Sequence, residues 1–167
     1  MRVLVFGNSG SGKSTYARAL AEERDLEHLD LDTIVWEPRK IAVQRSREAM
    51  MASLGEFLDS NTAWVVEGCY ANLIEAASDR CTQLVFLNPG LEACLANNLR
   101  RPWEPEKYES LEKQNTMLEN LQAWVESYYG RDDECSYEAH RGVFDSFRGA
   151  KVEHVSTPDT SQANESV

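Results

Sequence analysis

Gly7, Gly12, Lys13 and Ser14 stand at the spacing G-x-x-x-x-G-K-S, directly after Arg2-Val3-Leu4-Val5-Phe6. These residue types in this order suit one task, which is holding a chain of phosphates. The glycines permit backbone angles and a close approach that side chains would forbid. The N–H groups running through Asn8, Ser9, Gly10 and Ser11 can then form a concave anion nest. A helix opening near Lys13 aims the positive end of its dipole at the same place. The Lys13 ammonium suits the β- and γ-phosphates, the Ser14 hydroxyl suits magnesium, and Thr15 is placed for the α-phosphate. The four fixed positions match by chance in roughly one chain of this length in a few hundred. The apolar strand before them and the helical pattern after them lower that further. The motif is a P-loop, and it predicts ATP with Mg2+.

Acids form the second group of candidates. Asp30 and Asp32 lie two apart at the end of an apolar segment. Side chains alternate along a strand, so both are expected on one side. Two such anions repel unless a cation or a substrate donor lies between them, and magnesium or an acceptor hydroxyl would serve. A strand-end turn is the plainer alternative. Glu67 follows Trp64-Val65-Val66 and precedes Gly68. An acid at that place in a P-loop protein is a candidate for holding magnesium, against the alternative of a solvated strand end. Asn88, at the equivalent height of the next strand, reads as a cap for the helix from Gly90.

Arg100, Arg101 and Lys107 bracket Pro102-Trp103-Glu104-Pro105. A guanidinium delivered by a closing lid would stabilise a phosphoryl group in flight and exclude water. Arg100 reads equally as a helix-end cation, whereas Arg101 fits the lid role better. Arg39, Lys40, Arg45 and Arg47 surround the crossover where an acceptor would bind, and Trp36 stands ready to stack on it or to line its pocket.

The elements that must position these groups alternate strand and helix. Strands are expected at 2–6, 26–32, 62–67, 83–87 and 151–155. Helices are expected after the P-loop and over about 44–59, 71–77, 91–100, 111–128 and 137–147. Residues 33–42 read as irregular, 101–109 as a short lid and 157–167 as a disordered polar tail. Residues 1–156 are expected to form one domain. Alternating strands and helices imply βαβ units and a parallel sheet, with ligands at the carboxyl ends of the strands.

The whole chain has 167 residues, a net charge of −11 and 42% apolar residues. No basic stripe is available for a polynucleotide, and no apolar run is long enough to span a membrane. Cys69, Cys81, Cys94 and Cys135 show no C-x-x-C or Cys/His spacing, so structural zinc is not expected and the thiols are expected free. With the first core strand at the N-terminus, no signal peptide is expected and the location is expected to be cytoplasmic.

The combination of P-loop, Asp-x-Asp, acid-Gly pair and arginine loop resembles the nucleoside-monophosphate-kinase and shikimate-kinase group. It looks most like small adenylate-kinase-like or DNA-topology-modulation members. The matching stretches are His28 to Trp36, with Asp32 as the shared acid, Trp64-Val65-Val66-Glu67-Gly68-Cys69-Tyr70, and Val85 to Gly90. The resemblance covers about residues 1–110. It implies an α/β fold of three layers, the P-loop NTPase fold, with a five-stranded parallel sheet in the order 2-3-1-4-5 and helices on both faces. It also implies phosphoryl transfer to a small-molecule acceptor, with Lys13, Arg100 and Arg101 on the phosphoryl group and Asp32 on the acceptor hydroxyl. Ser14 and Glu67 would hold magnesium, assisted by Asp30. The alternative is a nucleotide-binding regulatory protein with slow or no hydrolysis. Glu67-Gly68-Cys69-Tyr70-Ala71 stands where adenylate kinases carry D-G-F-P-R, and the glycine triplet of shikimate kinases and the N-K-x-D of GTPases are absent.

Overall fold

The computed structural model describes residues 1–38, 40–105 and 107–157. The expected tail lies outside the described residues beyond Thr157, as does Arg39. Five parallel strands form the main sheet: β1 (Arg2–Gly7), β2 (Glu27–Asp30), β5 (Trp64–Gly68), β6 (Gln83–Leu87) and β7 (Ala150–His154). Their order is β2-β5-β1-β6-β7. This is the expected order 2-3-1-4-5, relabelled because a small hairpin adds β3 (Trp36–Glu37) and β4 (Lys40–Gln44).

Both faces of the sheet are covered, which is why its central strands read as continuous apolar runs. Strand alternation sends Leu4 and Phe6 of β1 into one core, with Val66, Leu84 and Phe86. Val3 and Val5 enter the other, with Val65 and Val85. Helix α1 (Lys13–Arg24) covers the second core through Tyr16, Ala17 and Leu20. Helices α3 (Arg47–Ser60) and α4 (Ala71–Ser78) pack on the first through Met50, Leu54, Leu73 and Ile74. Residues of α7 (Tyr137–Ser146) join them there through Val143. Helices α5 (Leu91–Leu99) and α6 (Leu111–Glu126) flank the P-loop side.

Several expectations change. Strand β2 stops at Asp30, and a one-turn helix, α2 (Asp32–Val35), takes over. The Asp30 carboxylate accepts from the Asp32 N–H at 2.9 Å, and this local turn ends the strand. Residues 33–42, read as irregular, hold α2 and part of the hairpin. Helix α3 starts at Arg47, where the Ser46 hydroxyl caps Ala49 N–H at 3.2 Å. Val43 sits exposed on β4 just before it. Leu111, the first residue of α6, is also exposed.

Strand register aligns the chemistry. Glu67 pairs with Val5 on one side and with Asp30 on the other. The acids of β2 and β5 thus end level with the start of the P-loop.

Buried His140 fastens the floor behind this edge. Its Nδ1 lies 2.7 Å from the Tyr128 hydroxyl and its Nε2 lies 2.7 Å from the Cys69 carbonyl. The carbonyl can only accept, so Nε2 carries the proton and Nδ1 accepts from Tyr128. Burial depresses the imidazole from 6.5 to about 4, against the Cys69 hydrogen bond. A base depressed on folding contributes stability that is complete above pH 6.5 and is lost as pH falls toward 4. The loss amounts to about 3 kcal/mol. Urea unfolding of wild type and His140→Gln between pH 7.5 and 4 is expected to show their stability gap closing across that window. A gap independent of pH would contradict the assignment.

Candidate active site

The P-loop is built by its neighbours before any ligand arrives. Gly7 has φ of 148°, and a Cβ there would meet the Leu87 carbonyl oxygen at 2.1 Å. Gly10 has φ of 77°, and a Cβ there would meet the Cys94 carbonyl oxygen of α5 at 2.2 Å. Both positions therefore demand glycine for conformation and for space. Asn97 Nδ2 donates to the Gly10 carbonyl at 2.9 Å, and Asn8 Nδ2 donates to the Val125 carbonyl at 3.3 Å. The Lys13 ammonium folds back onto the Asn8 carbonyl at 2.9 Å. Helix α1 is capped by Gly12 without a side-chain hydrogen bond. Its first-turn amides thus remain for an anion.

Glu67 is 2% exposed, and its Oε1 has no hydrogen-bond partner. Burial lifts its carboxyl to about 7, reinforced by Asp30 and opposed by Lys13 and the Ser14 hydroxyl that hydrogen-bonds it. His28 Nε2, also without a partner, stands 3.9 Å from the same oxygen. A buried acid beside a P-loop serine, short of partners, is a donor set that fits a hard divalent cation.

Asp30 and Asp32 are brought together as expected, but by a different device. A strand did not align them, since Asp32 opens α2; the ammonium of Lys107 joins them. Its Nζ lies 2.7 Å from Asp32, 3.1 Å from Asp30 and 3.4 Å from Glu104. Burial opposes the charge on Lys107, yet the three carboxylates raise its pKa far above the ordinary range. The other Asp32 oxygen accepts from the Tyr70 hydroxyl at 2.6 Å, and that hydroxyl accepts from Trp36 Nε1 at 2.8 Å. Burial pushes the Asp32 carboxyl up, but Lys107 and the hydrogen bonds from Lys107 and Tyr70 outweigh it and hold the group below its usual range.

Arg101 reaches the P-loop. Its Nη2 lies 3.4 Å from Ser9 Oγ, and its Nη1 pairs with Glu104 at 3.2 Å. Arg100 caps α5 and is exposed on the rim. Asn88, expected to cap α5, instead donates to Glu153 at 3.1 Å and accepts from Tyr129 at 2.8 Å. Gly90 takes the cap position.

Two cavities open on this constellation. One, of about 390 Å³, is lined by Gly12, Thr15, Arg18, Arg100 and Trp103 among others. The second, of about 380 Å³, is lined by Asp30, Asp32, Trp36, Glu67, Tyr70 and Lys107 among others. Lys13, Ser14 and Arg101 belong to both walls.

Lys107 and Tyr70 are the site residues that sequence reasoning underused. Lys107 was grouped with the lid cations, but nothing local shows that it returns to an acid 75 positions earlier. Tyr70 ended the stretch Glu67-Gly68-Cys69-Tyr70 and carried the family resemblance without a role. Among the described residues no His/Cys/Asp/Glu cluster has metal-site geometry, and all four cysteines are free. No helix among them is long and apolar enough to cross a membrane.

Residues 3–105 match the AAA domain family. The chain belongs to that family. No curated protein sequence matches it. Solved structures share the fold of this AAA domain protein at low identity. A sugar kinase from Janibacter sp. HTCC2649 is 16% identical with a TM-score of 0.54, over 97% of this chain and 88% of that one. Shikimate kinase from Aquifex aeolicus vf5 is 18% identical with a TM-score of 0.53, over 98% and 90%. A gluconokinase from Sinorhizobium meliloti 1021 is 19% identical with a TM-score of 0.53, over 97% and 86%. The AAA domain protein thus has the α/β P-loop fold of small-molecule kinases, in line with the resemblance carried by its motifs.

Proposed function

We propose that this AAA domain protein transfers the γ-phosphoryl group of ATP to a hydroxyl of a small molecule. The observation that carries the reading is the pair of cavities meeting at Lys13, Ser14 and Arg101. A donor and an acceptor bound in them would face each other across one ammonium and one guanidinium. The names of the similar structures support a small-molecule acceptor.

The cavity beside Gly12 and Thr15 takes the nucleotide, its phosphates against the loop amides and the α1 terminus. Lys13 and Arg101 hold the moving group and spread its charge, and the lid segment 101–109 excludes water. Ser14 and Glu67 hold Mg2+, which neutralises phosphate charge when bound. Asp30, committed to Lys107 and to the Asp32 N–H, is assigned no metal here. Asp32 accepts the hydrogen bond of the acceptor hydroxyl, aligns it with the phosphoryl group and takes its proton as the new bond forms. Its low basicity is tolerable because the transition state of phosphoryl transfer is loose and alignment dominates. Arg100 stays at the rim, where it contributes to the field around the phosphates.

Asp32→Asn separates binding from transfer. ATP affinity, read by calorimetry, is expected to remain within about twofold, because Asp32 lines only the acceptor cavity. Metabolite-stimulated ADP release is expected to fall about a hundredfold. Unchanged stimulation would remove Asp32 from the mechanism. ATP consumption indifferent to any metabolite would favour a regulatory nucleotide-binding protein.

A further inference from the structure

Two of the free thiols, Cys69 and Cys135, share one wall of the acceptor cavity. Cys69 follows Gly68, the last residue of β5, and Cys135 lies in the segment just before α7. The two segments are clamped side by side. The Ala71 N–H donates to the Glu134 carbonyl at 2.9 Å, and the Asn72 side chain hydrogen-bonds that of Glu134. This clamp brings the Cys69 and Cys135 side chains into hydrogen-bonding contact. They differ in access. Cys135 belongs to the core and is 6% exposed, whereas Cys69 packs against that core and is half-buried. Among the described lining residues, Cys81 and Cys94 border neither cavity.

Two thiols in contact reach a disulfide by a two-electron oxidation. The bond would draw the sulfurs from contact to about 2.05 Å. One of the two segments must absorb that contraction, and neither is slack. On the first, the Cys69 carbonyl is held by His140 at 2.7 Å, and a Cβ on Gly68 would meet the Leu31 side chain at 2.8 Å. The next residue, Tyr70, holds Asp32 at 2.6 Å. On the second, Arg131 donates to the carbonyls of both Cys135 and Trp124. Tyr70 and Trp124 line the acceptor cavity with the two cysteines, and none of the four is among the described lining of the nucleotide cavity.

We propose that Cys69 and Cys135 form a reversible disulfide, with hydrogen peroxide as the oxidant, and that this bond shuts the acceptor cavity while leaving the nucleotide cavity open. The disulfide stands on the thiol geometry alone, and its effect on turnover rests on the kinase reading. The Cys69 sulfur, reached through the cavity, attacks one peroxide oxygen. The O–O bond breaks, Cys69 becomes a sulfenic acid, and the other oxygen leaves as water with the thiol proton. The Cys135 sulfur then attacks the Cys69 sulfur. The S–O bond breaks, and the hydroxide leaves as water with the Cys135 proton. Two thiols thus lose two electrons, and one peroxide becomes two waters. A small dithiol reverses the step by thiol–disulfide exchange.

Peroxide-treated protein, its remaining thiols alkylated in denaturant, is digested and mapped by mass spectrometry. A peptide linked through Cys69 and Cys135 is expected, and it is expected to vanish after dithiothreitol. Cys135→Ala is expected to give no link and to leave Cys69 as a sulfenic acid that dimedone traps. Both thiols still open to alkylation, or a link through Cys81 or Cys94 instead, overturns the site. Nucleotide affinity, read by calorimetry, is expected to be unchanged by oxidation. ADP release stimulated by a pool of hydroxylated metabolites is expected to fall at least about tenfold and to return with dithiothreitol. Linked protein as active as the reduced form overturns the gate and leaves the kinase reading intact. A link formed in protein that shows no stimulated release in either state keeps the disulfide site and sinks the kinase reading.

Discussion

Lys13→Ala is expected to lower acceptor-dependent ADP release by about a thousandfold while leaving the protein folded. The side chain is buried at the edge shared by both cavities, where the moving phosphoryl group would lie. Its ammonium has a protein partner, the Asn8 carbonyl at 2.9 Å. Losing that hydrogen bond costs about 1 kcal/mol, a few degrees of thermal midpoint. The asymmetry between a small structural loss and a large catalytic one identifies a catalytic residue. Steady-state ADP release and a thermal melt on the same preparation check it. Near-wild-type turnover would exclude Lys13 from phosphoryl transfer.

Lys107→Met is expected to damage both stability and activity. It removes the ammonium that compensates Asp30 and Asp32 and leaves two facing carboxylates with no cation between them. Breaking a fully buried pair costs about 3–5 kcal/mol. The Lys107, Asp30 and Asp32 side chains are 10%, 13% and 28% exposed, so solvent reduces the cost to about 2 kcal/mol. The sign with pH follows from Asp32. Its carboxyl is held below 3.8 in the folded state. The stabilisation is therefore complete above pH 3.8 and is lost as pH falls through the folded value. The gap between wild type and variant is widest near neutrality and closes in acid, as denaturant titrations at pH 7 and pH 3 would show. Activity suffers because Lys107 and Glu104 also fasten the segment that presents Arg101. A loosened guanidinium and a displaced Asp32 are expected to cost about a hundredfold in kcat. Lys107→Arg is expected to recover part of both losses. A variant as stable and active as wild type would show that the bridge holds nothing in place.

The donor half of the site was legible because it is local. Gly7 to Ser14 are contiguous, their glycines are required by backbone angle and by contact with α5 and β6, and the flanking strand and helix announce themselves by pattern. Glu67 was legible because its strand is apolar up to the acid, and the register with β1 and β2 then carries it to the P-loop. The acceptor half was not, because its partners come from distant segments. Asp32 was singled out on a wrong premise: strand alternation was expected to align it with Asp30, and Lys107 joins the two instead. Residues 33–42 were read as irregular because the strands of the hairpin are short and Pro38 lies between them. Asn88 was read as a helix cap because its spacing to Gly90 suits one, but Glu153 and Tyr129 compete for its side chain, and only the fold brings them there.

The central claim is that a phosphoryl group moves from the nucleotide to an acceptor hydroxyl. Following the label from γ-labelled ATP, with Mg2+ and a pool of hydroxylated metabolites present, tests it most directly. Label is expected in a phosphorylated acceptor, in step with ADP formed, and absent when Lys13 is replaced by alanine. Label found only in inorganic phosphate, at one slow rate whatever acceptor is supplied, would contradict it.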